Sequence, residues 1–345
     1  MNAPEGLVDT DGALLALASR LAGNAGHGGV KALARLAGGR NNQVYRVELD
    51  NGSPLVLKRY FTDPRDPRDR LGAEWNFLQH AWSRGIRVVP EPLACDLSLQ
   101  AGLYGFAHGR KLAATELEPM HVDAAIDFIL AVNARPRTAL APASEACFSL
   151  AEHIATVERR VSRLATLDPD VPHAGRAQQL VSARLLPAWT AVKSRLSRDA
   201  TAAGLALDRT LSPNDCCLSP SDFGFHNALV DDADKVTFLD FEYAGRDDPA
   251  KLVSDFFCQP EVPVPFGYHS AFVRRIAEGL GLDEAGHARC RILLDAYRIK
   301  WTCIILNDFL PLGATRRAFA DAGLWTARCA DQLTKAEAKL AELLV

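Results

Sequence analysis

Apolar residues first recur at helical spacing through Leu14, Leu15, Leu17 and Leu21, which predicts a helix over residues 11–22 that ends in the glycine-rich run Gly23 to Gly29. The period then changes from helical to alternating. Tyr45, Val47 and Leu49 alternate with polar neighbours as in a half-buried strand. Asp50-Asn51-Gly52 supplies a hairpin turn, and residues 54–60 read as the returning strand. Leu71, Trp75, Leu78 and Trp82 restore the helical period between Asp69 and Arg84. Short strands follow around Arg87 to Pro90 and within Leu97 to Phe106, and Gly102 to Arg110 reads as a glycine-rich linker with hinge freedom. Beyond Thr115 the pattern is almost wholly helical, over 120–134, 148–167 and 174–199. After a buried strand at Lys235 to Leu239 it is helical again, over 250–257, 268–280, 283–306 and 321–344. The reading is α+β, with a strand-rich first third and a mainly helical remainder.

A chain of 345 residues exceeds one typical domain, so two domains or lobes with a large core are expected. Hydrophobic residues at 48% and charged residues at 23% are ordinary for a globular protein, and a net charge of −3 gives no electrostatic case for nucleic acid or an anionic membrane as partner. The eight cysteines are scattered, without a Cys-x-x-Cys pair, and are expected reduced and buried in a cytoplasmic protein; the adjacent Cys216 and Cys217 read as core filler. Neither a basic, apolar leader nor eighteen consecutive apolar residues occur, so no membrane is expected as partner.

Chemistry concentrates in Ser219-Pro220-Ser221-Asp222-Phe223-Gly224-Phe225-His226-Asn227 and in the later Asp240-Phe241-Glu242. A carboxylate can take the proton of a hydroxyl, while a side-chain amide and a second carboxylate can hold a hard cation through oxygen. Asp222 and Asn227 stand five apart, as Asp and Asn do in a protein-kinase catalytic loop, and Asp240 begins Asp-Phe-Glu where those kinases have Asp-Phe-Gly. The same residues also suit an Asx-rich turn before a buried strand. Upstream, Lys58 interrupts the apolar Leu55-Val56-Leu57 and Glu74 flanks the helical stripe; the pair either positions phosphates or lies on an edge strand and a solvated helix face. Gly38-Gly39-Arg40-Asn41-Asn42 can cover a phosphate with backbone N–H groups or simply form a turn. His226 reads as packed within its loop.

Gly38-Gly39 with Asn42 and Val44-Tyr45-Arg46-Val47, then Lys58, Glu74, Asp222 to Asn227, Asp240-Phe241-Glu242 and Asp248-Pro249, resemble in order and separation the aminoglycoside phosphotransferase and choline kinase-like family over roughly residues 30 to 260. The resemblance implies a bilobal protein-kinase-like fold: an N-lobe (1–105) with a small antiparallel sheet and one key helix, and a large helical C-lobe (106–345) carrying the catalytic loop and substrate pocket, with ATP and Mg²⁺ between them. It implies Asp222 as catalytic base, Asn227 and Asp240 as metal ligands, and Lys58 as phosphate ligand held by Glu74. Gly38, Gly39, Asn41 and Asn42 would cover the phosphates, the adenine would meet backbone near Tyr104 to Ala107, and Asp248 would brace the fold. The implied activity is transfer of the γ-phosphoryl group of ATP, with GTP also open, to a hydroxyl of a small sugar, aminoglycoside or amino-alcohol metabolite. The other reading is a kinase fold that binds nucleotide or a partner without turnover. Two departures bear on that choice: Pro220-Ser221 stands where the family usually has His-Gly, and Lys251-Leu252-Val253-Ser254 precedes Asp255 where an Asp is often found earlier.

Overall fold

The computed structural model of the chain describes residues 10–36, 42–64, 66–135, 140–311 and 322–343. It divides into two compact units. The first comprises Met1–Leu112, Pro136–Ser144 and Asn227–Gly245, and the second Ala113–Arg135, Glu145–His226 and Arg246–Val345. The first unit therefore ends at Leu112 rather than at 105 and also takes in two later segments. The expected metal ligands Asn227 and Asp240 lie in one of these and so belong to the first unit, although the chain on either side of 227–245 belongs to the second.

In the first unit, helix α1 (Thr10–Asn24) precedes strands β1 (Val30–Arg35), β2 (Gln43–Leu49) and β3 (Leu55–Arg59). Helix α2 (Arg70–Ser83) and strands β4 (Pro92–Asp96) and β5 (Ala101–Gly105) complete an antiparallel sheet of order β1-β2-β3-β5-β4. Leu14, Leu17, Ala18 and Leu21 of α1 pack on Val47, Leu49, Leu55, Leu57, Ala101 and Leu103, a core that only one face of the sheet provides. Strand residues alternate faces, so Lys58 does not break the Leu55 and Leu57 face but points away from it. Asp69 caps α2, accepting from the Gly72 N–H at 2.8 Å.

Gly102 and Gly105, expected in a hinge, are in β5. Gly102 pairs with Lys58, and a Cβ there would overlap the Tyr104 side chain, which lies back along its own strand; bareness at 102 makes room for that ring rather than supplying motion. Later in this unit, β7 (Ala228–Val230) and β8 (Val236–Phe238) form a hairpin, and Arg110 bridges to Val230 through paired backbone hydrogen bonds of 2.9 Å.

The second unit contains α3 (Pro119–Val132), α4 (Leu150–Arg163), α5 (Ala174–Leu180), α6 (Leu186–Ala202), the short strand β6 (Cys217–Ser219), α7 (Pro249–Cys258), α8 (His269–Leu280), α9 (Glu284–Ile292), α10 (Leu294–Ile305) and α11 (Ala322–Ala341). The single helix expected over 174–199 is interrupted by a π-helical turn at Val181–Leu185, and that expected over 283–306 divides at Leu293. Helix α10 is buried almost all round, against α4, α7 and α11. Its charged residues therefore need internal partners: Arg298 meets Asp295 at 2.8 Å and Lys300 meets Asp255 at 2.8 and 2.9 Å. Phe256 of α7 stacks on Phe272 at 4.6 Å and on Phe223 at 5.3 Å, tying the Asp222 loop to the helical core.

Asp248 is a brace, as expected. It caps α7 by accepting from the Ala250 N–H at 2.8 Å, takes the Arg289 guanidinium on Oδ2, and lies 3.1 Å from His153 Nε2. His153 is buried, with Nδ1 2.7 Å from the Tyr297 hydroxyl. All eight cysteines are thiols and seven are buried, Cys216 and Cys217 included. Among the described residues no helix is long and apolar enough to cross a membrane.

Phe256→Ala is expected to cost about 3–5 kcal/mol, the range for a buried Phe truncation, read as a lowered urea midpoint at unchanged slope. His153 supplies a pH dependence. Burial pushes its imidazolium down, but the hydrogen bonds and charge interactions with Asp248 and Cys147 together outweigh burial and raise it from 6.5 to about 9. The raised folded-state value means that the charged ring stabilises the fold fully below about pH 6.5 and ceases to do so as pH rises through about 9, a loss of roughly 3 kcal/mol. Urea titrations from pH 6 to pH 10 are expected to show that decline, and His153→Gln is expected to flatten it.

Candidate active site

In the first unit the expected residues meet. Lys58, buried on β3, places Nζ 2.6 Å from Glu74 Oε2 of α2 and 2.6 Å from Asp240 Oδ1, joining positions 182 apart in sequence. The edge-strand reading of Lys58 is thereby excluded, since β3 is central in the sheet and Glu74 is buried. Burial alone would push the Lys58 ammonium down, yet Glu74, Asp240 and Glu242 together hold it above its usual value. For Glu74 burial dominates and raises the carboxyl, with Lys58 opposing.

Glu74 has a second support that the sequence reading missed. The Tyr60 hydroxyl donates to Glu74 Oε2 at 2.7 Å and lies 2.7 Å from the Tyr104 hydroxyl, and burial raises both phenols, so both stay neutral. Tyr60 follows directly on the strand that carries Lys58, and Tyr104 lies on the next strand of the sheet, where bare Gly102 admits its ring. Lys58 is thus fixed in direction as well as in charge.

Asp240 occupies the left-handed backbone region at φ +65°, which Asp tolerates better than most residues, and its carboxylate is partly exposed. The residues around it hold the turn. Phe241 stacks on Phe77 of α2 at 4.8 Å, and the buried Glu242 accepts from Asn42 Nδ2 at 2.6 Å, with Arg70 Nε 3.6 Å away. Asn42 in turn accepts the Phe61 N–H at 3.1 Å. Glu242 was visible as the last residue of Asp-Phe-Glu, but its partner lies 200 positions away and no local spacing points to it. The preceding Gly38, Gly39 and Asn41 lie outside the described residues.

Asn227 ends a short 3₁₀ turn, and its carbonyl accepts the Leu239 N–H at 2.8 Å, extending the β7–β8 register of Ala228 with Phe238. That pairing puts Asn227 and Asp240 at one end of the same hairpin. An amide and a carboxylate there are hard oxygen donors of the kind Mg²⁺ accepts when substrate phosphates and water complete its octahedron. Among the described residues no group of three or more His, Cys, Asp or Glu could hold a metal ion.

In the second unit, Asp222 follows Ser221, which is also left-handed at φ +69°. The Ser221 N–H donates to the buried Ser219 Oγ at 3.0 Å and the Asp222 N–H to Pro220 O at 3.1 Å. Phe223 and Phe225 turn inward onto Phe256, which leaves Asp222, partly exposed, on the other side of the loop. His226, four residues on, lies with Nε2 3.2 Å from Asp222 Oδ1, a polar contact beyond the packing expected of it. Lys251, which the sequence reading left as an intervening residue, is buried beside this loop with Nζ 2.5 Å from Asp247 Oδ2 and 3.4 Å from Ser221 Oγ. Its signal was the one that marked Lys58, a lysine inside an apolar run.

Comparison with known proteins bears on the family and the fold. The model of the phosphotransferase enzyme family matches residues 32–293. No curated protein matches the sequence. Among solved structures, a choline/ethanolamine kinase family protein from Mesorhizobium loti is similar, with 19% identity and a TM-score of 0.58 over 97% of this chain and 95% of that one. The choline kinase of Streptococcus pneumoniae gives 14% identity and a TM-score of 0.60 over 97% and 100%. A spectinomycin phosphotransferase determined with ADP and spectinomycin gives 12% and 0.58 over 98% and 99%. These likenesses establish the protein-kinase-like α+β fold, and the match over residues 32–293 establishes more: the chain belongs to the phosphotransferase enzyme family.

Proposed function

We propose that the protein is an ATP- and Mg²⁺-dependent kinase that transfers the γ-phosphoryl group to a hydroxyl of a small metabolite of the sugar, aminoglycoside or amino-alcohol type. The observation that carries this reading is the buried Lys58 ammonium shared between Glu74 and Asp240. A lysine costs much to bury, so its ammonium must be surrounded by anions. Two carboxylates, one of them partly exposed, suit a cation that must also meet phosphate oxygens.

Each residue then has a task. Lys58 binds the α- and β-phosphates while Glu74, steadied by Tyr60, keeps its direction. Asn42 is anchored to Glu242 and closes the phosphate-covering segment that Gly38, Gly39 and Asn41 would provide. The backbone from Tyr104 to Ala107 meets the adenine; the Gly105 N–H is already taken by Glu91 O at 2.9 Å, so later groups make that contact. Asn227 and Asp240 would hold Mg²⁺, which supplies charge neutralisation to the phosphates when bound. Asp222, its rotation set by His226, accepts the proton of the acceptor hydroxyl as the oxygen attacks phosphorus. Because a neutral hydroxyl becomes a phosphate ester, the proton must leave with the bond, and a partly exposed carboxylate can take it. The structures of a choline/ethanolamine kinase family protein, a choline kinase and a spectinomycin phosphotransferase on this fold support a small hydroxylated acceptor.

Mg²⁺-dependent ATP consumption against a panel of sugars, aminoglycosides and amino alcohols is expected to single out an acceptor. Asp222→Ala is expected to lower kcat by about 10²–10⁴-fold with ATP binding retained. ATP bound tightly with no turnover on any acceptor would favour a non-catalytic binder instead. Lys58→Met is expected to weaken MgATP binding and to lower kcat by at least about 10²-fold, measured by calorimetry and steady-state kinetics. If Lys58→Met left both unchanged, the phosphate assignment would be wrong.

A further inference from the structure

Helix α7 is buried along its entire length, and Lys251 within it is 2% exposed. A buried ammonium requires anions, and two lie one turn away on either side: Asp247 at 2.5 Å and Asp255 at 3.9 Å. Asp255 is otherwise satisfied. Lys300 reaches it at 2.8 and 2.9 Å and the Trp301 indole N–H at 2.7 Å. Asp247 likewise accepts the N–H groups of Cys147 at 3.1 Å and Asp248 at 2.9 Å. The charges balance in two Lys–Asp pairs, and Lys251 retains a further N–H whose neighbour is the Ser221 hydroxyl at 3.4 Å.

Ser221 is where such a contact matters. It adopts a left-handed backbone, a conformation that side-chain-bearing residues keep only where their surroundings impose it. Asp222 is the next residue along. The loop is fixed on one side by Phe223 and Phe225 in the aromatic core and on the other by Ser219 Oγ. The Ser221 side chain is a further handle on the turn, and it is held from outside the loop.

We infer that Lys251 is a positioning residue for phosphoryl transfer: seated on Asp247, its ammonium holds the Ser221 hydroxyl and through it the left-handed turn from which Asp222 projects. The role rests on the reading of Asp222 as the catalytic base. It gives Pro220-Ser221 a partner outside the loop, so a rigid turn is kept by a lysine on α7. Lys251 acts through Ser221 and touches neither substrate nor nucleotide.

The test compares Ser221→Ala, which removes the hydroxyl but leaves the Lys251–Asp247 pair, with Lys251→Met/Asp247→Asn, which removes the pair without stranding a charge, and with the triple variant. Amide hydrogen exchange over residues 219–225 of the full chain is expected to quicken about tenfold in each. MgATP turnover with the acceptor from the panel is expected to fall about tenfold in kcat with KM for MgATP within about twofold, and the triple variant is expected to be no worse than either parent, since both act on one contact. Unchanged exchange and kcat in Ser221→Ala, or losses that add in the triple variant, would overturn the inference. Should the wild type turn over no acceptor, the exchange measurement still decides the role of Lys251 in the turn, while the missing turnover counts against the kinase reading alone.

Discussion

The first unit depends on the requirement that a buried positive charge be surrounded. Lys58 sits in the middle strand of its sheet, where an unpartnered ammonium could not remain charged, and its two carboxylates come from a helix and from a turn far along the chain. Satisfying it therefore fixes more than one side chain. The α2 helix must present Glu74, the β7–β8 hairpin must deliver Asp240, and Tyr104 must lie across Gly102 so that Tyr60 can steady Glu74. Glu74 is satisfied from two sides, by Lys58 and by Tyr60, and buried polar groups held in this way favour one arrangement over several.

The sequence made this legible only where chemistry and period conflicted. Lys58 stood out because a lysine interrupted an apolar strand, and Glu74 because it flanked an otherwise regular helical stripe. The Asp222 to Asn227 spacing and Asp240 carried the rest. What escaped was of two kinds. Glu242 with Asn42 is a long-range pair of ordinary residues, invisible without coordinates. Gly102 was misread because glycine marks both freedom and close approach, and only the ring of Tyr104 decides between them. The division of the chain escaped for a related reason: a short hairpin at 227–245 has no local feature to show which sheet-bearing unit it completes.

The same physics applies in both units with different consequences. In the second, α7 and α10 are apolar helices that nonetheless carry Lys251, Asp255, Asp295, Arg298 and Lys300, each paired within the unit. Such pairs add little net stability against apolar replacements, but breaking one strands a charge. Helices built this way tolerate few registers. That rigidity extends to the Asp222 loop, since Phe223 and Phe225 both pack on Phe256 of α7.

The hairpin at 227–245 also has a consequence in time. Lys58 and Asp240 are 182 residues apart, so during synthesis the ammonium leaves the ribosome long before its second carboxylate exists. At about 5–20 residues per second the interval is roughly ten to forty seconds. Over that interval the early sheet has Glu74 alone against Lys58, and the first unit closes only after two of the three segments of the second have been made.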